Sequence, residues 1–386
     1  MKSRSSRVVV GVAITMSLLA YACSRWIGLP LRDPDGFLGP AYLRLPLLCG
    51  AAFLVDLVPR TLWRSHGVPT HFRREAIIVV KEHWTRERIV LVVVGLLSFY
   101  FTYVSYRNLK NFLPFVRTTD HGRRPLLFDD QLHALDRWLL FGHDPAHVLH
   151  SLLGTGIAAH VLAYDYLLFL PLVPVTVTAW LVWSKNISFG YWYVTSDVLC
   201  WALGTASYYV LPTLGPAFAF PWLYTDVSKT GVTSLEDALF YGRINLHVDP
   251  YLHGVQSVAA FASLHVAITL MMALVGQYTI RRKPIRITLW VYCAVTTVST
   301  TYFGWHYLAD DVAGALIGVV SFYVGARATG QTFSRDKRDL PTSAPRRRPA
   351  AETCRGSSDG LGVRVRPVAL DLHRARTSTT PKGQPT

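Results

Sequence analysis

The stretch STTYFGWHYLADDVAGALIG, from Ser299 to Gly318, places His306, Asp310 and Asp311 in a run otherwise suited to the interior of a membrane. An ionisable residue there is costly, and a pair of them marks a functional site by default. If the run is helical from Tyr307 onward, His306 and Asp310 stand four residues apart on one face. A carboxylate in that position holds the proton on one imidazole nitrogen and leaves the other directed outward, as a nucleophilic or general-base histidine requires. The plainer alternative is a histidine satisfied at a helix end near the headgroups.

Working outward, the chain has 386 residues, 51% hydrophobic and only 16% charged. A soluble domain of that balance lacks the polar surface to cover itself, so a membrane protein is expected. Seven runs approach the roughly 20 apolar residues that span a bilayer. They are Val8 to Leu29, Ile89 to Tyr106, Ile157 to Trp183, Tyr191 to Leu211, Ser257 to Gln277, Ile285 to Phe303 and Tyr307 to Ala326. An eighth, Pro46 to Trp63, carries Asp56 and Arg60. The predicted fold is all-α, a polytopic integral membrane bundle. Met1 to Cys23 has the outline of a lipoprotein signal, but Tyr21 fits a cleavage site poorly and a retained first helix is expected. Five cysteines, Cys23, Cys49, Cys200, Cys293 and Cys354, give neither a disulfide framework nor a metal spacing.

Of the net charge of +15, the segment from Gln331 to Thr386 supplies +7, with twelve Lys/Arg against five Asp/Glu. Its Ser, Thr, Pro and Gly cannot bury a core, so a disordered cytoplasmic tail touching anionic lipid is expected, and no nucleic acid. The positive-inside rule assigns MKSRSSR, the link Arg60 to Arg88, RRKPIR (Arg281 to Arg286) and the tail to the cytoplasm. The link Pro212 to Gln256, with only Lys229 and Arg243, is then external. Alternating the helices puts both termini inside and brings His265, in FASLHVA, to the same outer face as His306. In the external segment Arg107 to Gly156, DDQLHALDRWLLFG reads as an amphipathic surface helix with Leu132, Leu135, Leu139 and Leu140 on one side.

Two histidines and a carboxylate at one membrane face suit a two-step transfer in which one histidine attacks and the other protonates the leaving oxygen. SLHVA resembles the second signature of the type 2 phosphatidic acid phosphatase superfamily, and STTYFGWHYLADDVAG resembles its third, SRxxxxxHxxxDxxxG. The resemblance implies a six-helix core plus one or two N-terminal helices, with His306 as the phosphorylated nucleophile, Asp310 as its orienting partner and His265 as the acid/base. Gly314 matches the closing glycine, while Asp311 lies one residue off the pattern. Thr300 stands where the third signature has arginine, and no clean first signature, KxxxxxxRP, is read. Inositol phosphorylceramide and sphingomyelin synthases share these losses, and YYVLPTLGPAF, SYRNLKNFLP and LDRWLLFGHDP are similar to that branch.

Some cation must still offset the phosphate charge. Arg107, Lys110 and Arg243 are the external candidates, each with an alternative as a snorkelling interfacial residue. Ser263 joins them as a substrate-binding candidate beside His265. LPTLGP is either a rigid loop at the mouth or ordinary helix termination. His143, His147 and His150 have helical spacing, but the resemblance implies no metal and no cofactor, and Asp144-Pro145 reads as a helix start. His247, Asp249 and His253, in the external loop before His265, either line the entrance or, the plainer reading, are solvated loop polarity. The expected domains are 1–88, 89–326 and 327–386. The expected activity is that of a lipid phosphatase or phosphotransferase working through a phosphohistidine on a lipid phosphate or phospholipid, in a bacterial plasma membrane and without an obligate protein partner. Water, lipid and sugar hydroxyls remain open as acceptors. A transporter or inactive lipid-binding scaffold is the alternative, although the internal repeats a transporter would show are not seen.

Overall fold

A computed structural model describes residues 2–33, 41–65, 68–119, 124–251 and 258–331. The basic tail beyond 331, Cys354 and His253 lie outside the described residues. Among the described residues there are thirteen α-helices, as lipid demands of a chain that must satisfy its own backbone. They are α1 (Lys2–Ile27), α2 (Ala41–Arg64), α3 (Pro69–His83), α4 (Arg86–Val116), α5 (Asp129–Leu139), α6 (Pro145–Leu153), α7 (Ile157–Trp183), α8 (Ile187–Val210), α9 (Pro216–Ala219), α10 (Gly231–Val248), α11 (Leu264–Thr279), α12 (Lys283–Tyr302) and α13 (Leu308–Ala328). The one departure from an all-helical chain is a ribbon of two short strands, β1 (Thr118–Thr119) and β2 (Arg124–Pro125), paired antiparallel.

Four helices are long and apolar enough to cross a membrane: α1 from Ser6, α4, α7 and α13. The eight expected spans therefore reduce to four that meet both conditions, although all eight segments are helical. The reasons are local. Residues 258–263 are not helical, leaving α11 only 16 residues. Helix α8 carries Asp197 among hydroxyl side chains, α12 opens on Lys283 and Arg286, and α2 holds Asp56 and Arg60. Those last charges satisfy each other. Buried Asp56 accepts from Arg60 Nε at 2.7 Å and from Trp84 Nε1 at 3.0 Å. Links read as loops also fold, with 68–83 supplying α3 and the external link supplying α10.

Helix α8 lies at the centre, packed by α1, α4, α7, α11 and α13, with Trp192, Tyr193 and Val198 fully buried. Small residues let α13 approach α11 closely. A Cβ at Gly318 would come within 2.5 Å of the Ala267 carbonyl oxygen, and one at Gly314 would overlap that of Ser263. This contact between helix backbones fixes the start of α11 against the start of α13. The C-terminal ends of α4, α8 and α12 and the N-terminal ends of α7, α11 and α13 gather at the same end of the bundle.

Candidate active site

The site is assembled from two chain links at that end. In the first, each amide from Ala260 to Ser263 has a partner: Ala260 and Phe261 donate to Thr213 O and Oγ1 (3.0 Å each), Ala262 to Ser207 Oγ (2.8 Å) and Ser263 to Asp310 O (3.0 Å). Ser263 then caps α11, its hydroxyl accepting from Val266 N–H at 3.4 Å, and His265 follows in the first turn. Ser263 is thus occupied in building the helix start and is fully buried.

The second link, 303–307, joins α12 to α13 and carries His306. Asp310 stands in the first turn of α13, where its Oδ2 accepts from Tyr307 N–H at 3.0 Å. The same Oδ2 lies 3.5 Å from His306 Nδ1. His306 Nε2 faces His265 Nδ1 at 3.3 Å. The expected trio is therefore brought together in the order Asp310, His306, His265. Asp311 takes the hydroxyls of Thr300 (3.2 Å) and Thr301 (3.1 Å), and it too lies within Coulombic range of His306. Thr300, in the position of the missing arginine, has its hydroxyl against the Asp311 carboxylate and the Thr297 carbonyl. From α7, Tyr166 stacks on His265 (centroids 4.6 Å apart) and on Trp305 (5.1 Å), while Phe169 lies 4.3 Å from the His265 ring. These rings hold His265 in one orientation.

Two residues that the sequence reading passed over complete the frame, Asp129 and Asp136 on α5. Asp129 Oδ1 accepts from Gly215 N–H (3.0 Å), Leu214 N–H (2.9 Å) and Tyr307 Oη–H (2.9 Å). Asp136 Oδ2 accepts from Leu308 N–H at 3.1 Å, at the positive end of α13. Burial raises the Asp129 carboxyl against the pull of those donors, and it pushes the Asp136 carboxyl up to about 6. Asp136 lines a small cavity together with His306, Tyr307, Thr301, Tyr224 and the His133–Asp144 pair. The reading of α5 is corrected accordingly. Its buried face is Asp129, Leu132 and Asp136, whereas Leu135 and Leu139 point outward. Buried backbone donors at the ends of α8 and α13 need acceptors more than the core needs two further leucines.

The LPTLGP segment is more than a helix terminus. Thr213 and Asp129 stitch it down, and Gly215 adopts φ 97° with its Cα against the Trp305 carbonyl, where a Cβ would come within 2.5 Å. Only glycine fits that backbone.

The cations divide. The Lys110 ammonium lies 5.8 and 5.7 Å from the Tyr106 and Tyr208 ring centroids and within Coulombic range of both histidines. Arg243, half-buried on α10, acts on Asp129. Arg107 neighbours Tyr106 and Lys110 rather than the histidines. Arg117, at the end of α4, was missed, and its buried Nε has no protein partner. Lys110 lies in the last two turns of α4 and Arg117 caps its end; they are seven residues apart, which is the Lys-to-Arg interval of the first signature. Thr118 takes the place of the proline, and that exchange hid the spacing. His150 is held by Asp226 and the Tyr302 carbonyl, and His133 by Asp144 at 2.5 Å. His247 packs on the Phe115 ring, and Asp249 accepts from Tyr251 N–H.

No curated protein and no solved structure matches the chain. A family match does exist, to the PAP2 superfamily, over residues 130–324. It takes in half of the sequence, including His265, His306, Asp310 and Gly314, and this chain belongs to the PAP2 superfamily.

Proposed function

We propose that the protein is a membrane lipid phosphatase or phosphotransferase in which His306 is the nucleophile. The observation that carries this reading is that His306 stands between Asp310 and His265, its Nδ1 3.5 Å from Asp310 Oδ2 and its Nε2 3.3 Å from His265 Nδ1. With Asp310 holding the proton on Nδ1, the Nε2 lone pair faces the second histidine. Those two nitrogens are in contact, so a phosphoryl group must part them to react. Nε2 then attacks phosphorus, the bond to the leaving oxygen breaks, and His265 delivers a proton to that oxygen. In the second half-reaction the acceptor hydroxyl gives its proton to His265, its oxygen bonds to phosphorus, and the P–N bond breaks. Lys110 and Arg117 balance the phosphate charge, Arg117 through the directional donors of its guanidinium.

The distribution of Lys and Arg supports a multi-pass protein with the site at the outer leaflet and both termini inside, and the membrane we propose is a bacterial plasma membrane. Residues 89–326 form the catalytic unit, preceded by N-terminal helices in 1–88 and followed by the basic segment 327–386. The segments resembling the inositol phosphorylceramide synthase branch favour a phospholipid or lipid-linked phosphate as donor.

The test uses purified protein in detergent with a panel of lipid phosphates and phosphodiesters, following free phosphate and lipid products together. Wild type should release one or the other and become transiently phosphorylated on His306. His306→Ala should do neither. Equal activity in the variant would end the assignment, and a silent wild type with every donor would favour lipid binding or transport.

A further inference from the structure

Helix α5 has two contrasting sides. Its inner side is pinned over the histidine site by Asp129 and Asp136, so the direction of its outer side is fixed. That outer side is polar at the start, with Asp130 and Gln131 exposed, and aromatic at the end, where Trp138 is 75% and Phe141 95% exposed. The turn that follows is built with care. Gly142 N–H donates to Arg137 O at 2.6 Å, and Arg137 Nε and Nη2 both donate to Gly142 O at 3.1 Å. Between them Phe141 sits at φ 54°, among the described residues the one non-glycine in the left-handed region. A bulky residue rarely adopts that backbone, at a cost on the order of 1–3 kcal/mol. The turn's own hydrogen bonds offset part of that cost, but the Phe141 ring packs on almost nothing in the described chain, being 95% exposed.

The position of the turn says what covers it. Five residues separate α5 from α6, and three separate α6 from α7, a membrane-spanning helix. Apolar exposure continues along that path through Leu152 (74%) to Ile157 (84%). The turn is therefore tethered to the level at which α7 enters the bilayer. Tryptophan beside arginine is the composition that settles at the headgroup boundary. We propose that the 138–141 turn inserts into the headgroup–acyl boundary of that leaflet and so fixes α5 over the histidine site, with Asp130 and Gln131 held above the lipid.

The test replaces Phe141, and separately Trp138 and Gln131, by the photo-crosslinker p-benzoylphenylalanine in the full chain. Each protein is reconstituted in phosphatidylcholine–phosphatidylglycerol nanodiscs, irradiated and weighed by mass spectrometry. Position 141 should gain the mass of one phospholipid, with or without the same gain at 138, and position 131 should not. No lipid adduct at 141, equal adduct formation at 131, or crosslinking at 141 to a second copy of the chain would each overturn the proposal.

Discussion

Gly314→Ala is the sharpest test of how the site is held. The added methyl would overlap the Ser263 carbonyl oxygen, and a C···O contact needs about 3.3 Å, so α13 must recede from α11 by about 1 Å. The Ser263 N–H to Asp310 O bond, 3.0 Å long, crosses the same interface and breaks with that movement. Overpacking costs about 1–3 kcal/mol, and the lost bond adds about 1 kcal/mol. His265 and His306 stand on either side of the gap, and a misplacement of about 1 Å at reacting groups lowers turnover roughly 100-fold. Two assays report on this, thermal unfolding in detergent and phosphate release from a lipid phosphate. The internal control is Gly11→Ala on α1, where a Cβ meets nothing within 4 Å. It should be neutral or stabilise by up to about 1 kcal/mol through helix propensity. If Gly314→Ala matched wild type in both melting and turnover, the close backbone contact could not be what sets the histidine geometry.

Three other outcomes are expected. Asp129→Ala strips the acceptor from the Leu214, Gly215 and Tyr307 donors, which at about 1–3 kcal/mol each should prevent a stable fold, whereas Asp129→Asn, keeping one oxygen, should lose only about 3 kcal/mol in a denaturation series. The folded-state carboxyl of Asp136 is raised from 3.8 to about 6, so its contribution is fully present below pH 4 and lost as pH rises through 6. Melting of wild type relative to Asp136→Asn should accordingly worsen from pH 4 to 7 by up to about 3 kcal/mol, and parallel curves would refute it. Arg117→Ala should lower kcat/KM for a lipid phosphate about 10- to 100-fold, with partial recovery in Arg117→Lys, as loss of one charge-assisted hydrogen bond predicts. An unchanged kcat/KM would remove Arg117 from the phosphate site.

The helices and the histidines were legible because their signals are local. Ile157 to Trp183 was read from hydropathy alone and coincides with α7. The pair His306 and Asp310 follows from a spacing of four on one helix. Residues whose role lies in distant contacts were not legible. Asp129 meets Gly215 and Tyr307, 86 and 178 residues away, and no periodicity reports such partners. On α5 the leucines drew the eye to the wrong face, since a carboxylate looks solvated until the backbone donors it serves are seen. Arg117 was hidden by a single exchange in a motif, although its interval from Lys110 was present. Helix α10 sits in a segment whose scattered Gly, Asp and Thr read as a loop, and its start depends on the Thr230 cap.

Asp129 and Asp136 bind the middle of the chain to its last helix, and this dictates an order of events during synthesis. Helices α1, α4 and α7 can enter the bilayer one after another and pack with α8. His306, the nucleophile proposed above, arrives on the link before α13, which is held by carboxylates made some 170 residues earlier. Contacts of such long range close last. On the mechanism proposed above, a nascent chain halted before α13 would hold both histidines but lack Asp310, and should be inactive.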